Sequence, residues 1–142
     1  MEYWIKSIPL KQLMERYGAE SVGDYWRPVR DSVQIRVAEM ENQDYCFLVA
    51  LHELVEEFLC TKRGIPEPEI QAFDQMFDKL EKEGEPGDEP DAPYHREHVF
   101  ATMIERMLAD EIGVKWDEYE QAIDNLFDED KPCQDTLTTT QR

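Results

Sequence analysis

The segment Asn42–Arg63 constrains this chain more than any other. It carries apolar residues at nearly every helical phase along one side and stops at Gly64, a residue suited to a left-handed helix end. Lys62 and Arg63 fall in the last turn, where the negative end of a helix favours cations. The segment is read as a central amphipathic helix whose apolar side the rest of the chain has to cover.

Two polar residues interrupt that apolar side. On a wheel of about 100° per residue, Glu56 lies about 40° from His52, and Tyr45, Leu48, Val49, Val55 and Leu59 fall within about 60° of it. Both groups therefore point at the core, where a lone carboxylate is costly unless it is protonated, hydrogen-bonded or bound to a cation. Glu53 sits on the margin of the apolar face, and Glu57 lies further round, on the side expected to be solvated. A histidine and a carboxylate one turn apart can reach a single metal ion. The competing reading is a buried hydrogen-bonded pair that fixes helix packing.

Around this helix the pattern predicts an α+β fold, a small N-terminal antiparallel sheet packed on three to four α-helices. Tyr3–Leu10 reads as an edge strand ended by Pro9, residues 11–16 as loop because Gly18 and Gly23 follow, and the alternation Val33, Ile35, Val37 as a half-buried strand. Pro66 opens a helix over 67–83 with the stripe Ile70, Phe73, Phe77, Leu80, and residues 83–93 concentrate Gly, Pro and acids as a solvated loop. A helix over 94–111 is apolar on most sides and is expected to pack between others; an amphipathic helix over 116–127 closes the domain. Residues 1–128 thus form one globular domain and 129–142 a disordered polar tail.

The string HELVE, His52–Glu56, resembles the active-site helix of zincin metallopeptidases, whose HExxH motif supplies two histidine ligands and a glutamate base. It is also similar to the HELVE helix of small uncharacterised phage and bacterial proteins. Glu56 stands where the second zincin histidine would be, which keeps a donor but alters charge and metal preference. The resemblance covers about a third of the chain, with the strand 32–38 and the helix after it. It implies that His52 is a metal ligand, Glu56 a substitute ligand and Glu53 the base that activates water.

Two residues are candidates for the third ligand. Asp74 follows Glu56 at a distance similar to that of the downstream carboxylate in one zincin group, and His98 lies on the mostly apolar helix 94–111 beside Ala101 and Thr102. His95 begins that helix and reads as a surface or N-terminal element. The donors suit a divalent metal, Zn²⁺ first, with Fe²⁺ or Mg²⁺ as alternatives. Hydrolysis of a peptide or amide bond is the implied chemistry.

Charge supplies rival readings. Across 142 residues, 33 acidic side chains oppose 15 Lys and Arg for a net charge of −18, which disfavours direct contact with nucleic acid or anionic membranes. It also suits a non-enzymatic partner of a basic protein, such as a phage-encoded inhibitor or nucleic-acid mimic. A third reading is a Mg²⁺-dependent all-helical nucleotide pyrophosphohydrolase using Glu53, Glu56, Asp74 and Asp78, which leaves His52 without a role. Cys46, Cys60 and Cys133 lack metal-type spacing, and no long apolar run appears, so a cytoplasmic protein with reduced thiols is expected.

Overall fold

The computed structural model describes residues 1–129, so the expected tail lies outside the described residues except for Glu129. Strand β1 (Glu2–Ile8) leads through helix α1 (Leu10–Tyr17) to strands β2 (Gly23–Trp26) and β3 (Ser32–Ala38). Helices α2 (Gln43–Lys62), α3 (Glu67–Lys79), α4 (His95–Glu111) and α5 (Trp116–Glu129) follow, with a 3-10 turn at Pro86–Asp88. The fold is α+β. No helix among the described residues is long and apolar enough to cross a membrane.

The sheet is mixed, not antiparallel. In the order β1-β3-β2, β1 runs parallel to β3 with Tyr3 opposite Val33 and Ile5 opposite Ile35, while β2 runs antiparallel with Tyr25 opposite Ile35. Helix α1 lies between β1 and β2 in the chain, where a loop was expected. It follows Pro9 and buries Leu13 completely, and Gly18 ends it at φ 78° with its N–H donating to Met14 O. Gly18 acts as a helix stop rather than a breaker, because a left-handed end costs glycine nothing.

Val33, Ile35 and Val37 form a core with Leu48, Val49 and Ala50 of α2, Ala109 of α4 and Tyr119 of α5. A second cluster joins Cys60, Ile70, Ala92 and Tyr94 further along α2. Cys46 and Cys60 are buried free thiols.

Three helical details depart from the periodic reading. Helix α3 ends at Lys79, before the expected 83, so Leu80 leaves the stripe and is exposed while Ile70 and Phe77 are buried. Helix α4 is not enclosed: Phe100, Met103 and Met107 face outward, and its buried residues are Glu97, His98, Ala101, Glu105 and Ala109. Its polar face is thus turned inward, against α2. Glu57 is fully buried rather than solvated, because it bonds the Arg27 guanidinium and accepts from the Thr61 hydroxyl at 2.9 Å.

Candidate metal centre

His52 and Glu56 lie one turn apart on α2, and α4 brings His98 opposite them, three buried residues on two packed helices. Their facing atoms form a nearly equilateral triangle. His52 Nε2 is 3.1 Å from Glu56 Oε2, Glu56 Oε2 is 3.0 Å from His98 Nδ1, and the two ring nitrogens are 3.2 Å apart.

Hydrogen bonding alone serves this triangle poorly. Both imidazoles meet the same carboxylate oxygen at an angle of about 60°, although the lone pairs of that oxygen diverge far more widely. A tetrahedral ion bonded to nitrogen and oxygen at about 2.0–2.1 Å sets its donors about 3.3 Å apart, close to the spacing found. Two imidazoles and one carboxylate are donors that Zn²⁺ and Fe²⁺ accept, whereas Mg²⁺ prefers oxygen ligands.

The other nitrogen of each ring meets an outer carboxylate. His52 Nδ1 lies 2.9 Å from Glu105 Oε2, and the Tyr119 hydroxyl donates to Glu105 Oε1 at 2.5 Å. With Nδ1–H held by Glu105, the Nε2 lone pair of His52 is aimed at the triangle, the arrangement that fixes a ligating imidazole. His98 Nε2 faces Glu85 Oε2 at 3.0 Å and Asp88 Oδ1 at 3.3 Å as charge contacts rather than aligned hydrogen bonds.

The loop before α4 closes over His98. Gly87 lies so near the ring that an added Cβ would fall 2.2 Å from His98 Cγ, a space only glycine leaves. His95, the first residue of α4, donates Nδ1–H to Gly87 O at 2.9 Å and pins the turn.

Electrostatics oppose the burial of these rings. Burial alone would lower the His98 pKa, but Glu56 and Glu85 outweigh it and push it up to about 10; His52 is likewise raised by Glu105 and Glu56 against burial. Burial would raise the Glu56 pKa, yet the two histidines hold it down at about 2. The cluster calls for positive charge at its centre, as protons on the rings or as a cation.

Glu53 is half-buried on α2 and packs against Gly23 of β2, where an added Cβ would sit 2.8 Å from Glu53 Cγ and 3.0 Å from Oε1. Burial, then the charge of Glu56, pushes its carboxyl well above the ordinary range. Asp74 does not join the triangle: it is buried on α3, and its oxygens are taken by the Tyr17 and Tyr94 hydroxyls. The four carboxylates Glu53, Glu56, Asp74 and Asp78 do not converge either, since Glu56 is held by histidines, Asp74 by tyrosines, and Asp78 is exposed.

Tyr119 and Glu85 were not singled out as site residues by sequence, and Glu105, noted two turns on from His98, was given no role. Glu105 was detectable in principle, because it shares a face of α4 with His98, two turns on. Tyr119 and Glu85 come from separate elements, and nothing local marks them. Comparison with protein-family models, curated proteins and solved structures finds no match.

Proposed function

We propose that the chain binds one divalent transition metal, Zn²⁺ foremost, through His52 Nε2, Glu56 Oε2 and His98 Nδ1, and that this zincin-like centre hydrolyses peptide or amide bonds. One observation carries the reading. The three donor atoms are spaced as a tetrahedral ion requires, and each histidine turns its remaining nitrogen to an outer carboxylate.

A bound ion supplies Lewis acidity, which polarises the scissile carbonyl and makes water more acidic. Glu53, next to His52 on α2, would be the base once the charge of a bound ion offsets the Glu56 charge that helps keep its carboxyl protonated: it would take a proton from water as the new C–O bond forms and return it to the amine nitrogen as the C–N bond breaks. Glu105 and Tyr119 keep the His52 ring oriented, and Gly87 keeps His98 in place. His52, Glu56 and His98 would hold the ion, three protein ligands being the number that catalytic zinc sites use.

Elemental analysis of protein purified without a histidine tag tests the premise. About one equivalent of zinc or iron per chain is expected, lost in His52→Ala and retained in Glu53→Gln, which would lack amide hydrolysis. Metal-free wild-type protein whose stability is unchanged by zinc or by chelator would refute the proposal.

A further inference from the structure

Among the described residues, strand β1 is an open edge with an unusual composition. Its neighbour β3 covers one side only, and Tyr3, Trp4 and Ile5 are 41%, 60% and 57% exposed. Exposed apolar edges invite pairing with another strand, and folded proteins usually blunt them with charge, proline or a bulge. Here Glu2 and Lys6 flank the three apolar residues as Glu-Tyr-Trp-Ile-Lys.

The backbone settles which groups are free. Glu2 N–H donates to Asp31 O and Ile8 O accepts from Glu39 N–H, so the even-numbered residues of β1 direct their amides toward β3. In a parallel pair the alternate residues point the other way, which leaves the N–H and C=O of Tyr3, Ile5 and Ser7 at the open edge.

A second copy of β1, antiparallel and centred on Trp4, satisfies these groups and the side chains together. Tyr3 then meets Ile5 of the second copy as a hydrogen-bonded pair, and Ile5 meets Tyr3, using the outward amides. Trp4 meets Trp4 at the non-hydrogen-bonded position, where side chains approach most closely. Glu2 meets Lys6 of the second copy, and two-fold symmetry makes that ion pair twice. Opposite charges placed evenly about a central aromatic make the strand complementary to itself. The pairing also places a locally neutral strand, with one acid and one base, at the meeting point of two chains that each carry −18.

From this self-complementarity we infer that the chain forms an isologous dimer in which two β1 strands pair antiparallel about Trp4 and join two three-stranded sheets into one of six. The metal centre is on other elements, so this inference stands apart from the function proposed above.

Sedimentation velocity from about 1 µM to about 300 µM tests it, and a concentration-dependent monomer–dimer equilibrium is expected, strengthened by salt that screens the net charge. Glu2→Lys and Lys6→Glu each place like charges opposite one another and should weaken association at least about tenfold. Combining Glu2→Lys with Lys6→Glu restores opposite charges in the same register and should recover the wild-type affinity. These side chains are exposed, and circular dichroism checks that each variant folds. As a second measurement, Trp4→Cys should cross-link between copies on mild oxidation beyond any wild-type background, since directly opposed residues lie within disulfide reach. A chain that stays monomeric, an affinity indifferent to either charge reversal, or a double variant no tighter than the singles would each overturn the dimer.

Discussion

Glu105 Oε2 accepts from His52 Nδ1 at 2.9 Å across the contact between α4 and α2, and this one bond decides which nitrogen of His52 faces Glu56 and His98. Glu105→Gln keeps the volume but loses the charge that favours the required tautomer. Zinc affinity, read by competition with a chromophoric chelator, should fall about 10–100-fold. Tyr119→Phe removes only the hydroxyl that orients Glu105 and should cost less. An unchanged zinc affinity in Glu105→Gln would show that the carboxylate plays no part in metal binding.

Gly87 predicts a purely steric effect. A methyl group there would lie 2.2 Å from His98 Cγ, so Gly87→Ala must displace either the loop or the ring. Overpacking of this kind costs about 1–3 kcal/mol, read from urea unfolding of the metal-free protein. A change below the error of that measurement would mean that the loop gives way freely and that Gly87 does not hold His98.

How much of this was legible in the sequence follows from the range of each interaction. His52 and Glu56 share a helix, so their common face is fixed by a rise and rotation per residue that sequence encodes directly. His98 stood out as a polar residue on an apparently apolar helix, yet the pattern misassigned that helix: its outward residues are Phe100, Met103 and Met107, and its inward ones include Glu97, His98 and Glu105. A helix built around a polar site inverts the rule that apolar means buried. The direction of β1 was illegible because alternation reports which face is buried, not which way a neighbouring strand runs. Asp74 was a candidate for the third ligand, but its partners, Tyr17 and Tyr94, are distant in sequence and only the fold joins them to it.

Asp74 predicts a pH dependence with a definite sign. Burial pushes its carboxyl up to about 6, only partly offset by the hydrogen bonds from Tyr17 and Tyr94. In the unfolded chain an aspartate titrates near about 3.9, so the folded state binds this proton more tightly. Its contribution to stability is therefore most favourable below about pH 4 and is lost as the pH rises through about 6, by about 2–3 kcal/mol. Asp74→Asn cannot ionise and removes that loss. The difference in unfolding free energy between variant and wild type should shift in favour of Asn by that amount between about pH 4 and pH 7; parallel profiles would place the Asp74 pKa near its unfolded value.

Asp24 and Arg36 pair β2 with β3 on the sheet, with Arg36 Nε donating to Asp24 Oδ1 at 2.7 Å and the guanidinium also engaging Oδ2. Asp24 is 3% exposed and Arg36 6%, so neither charge recovers its hydration if the other is removed. Asp24→Ala should cost about 3–5 kcal/mol, because it leaves a buried guanidinium uncompensated. Replacing both, as Asp24→Ala with Arg36→Met, removes the stranded charge and should return most of that loss, since the pair's attraction is set against the desolvation of two ions. Denaturant midpoints of the two singles and the double close the cycle. If the double variant is as unstable as Asp24→Ala, the loss comes from the space vacated beside β2 rather than from the unpaired charge.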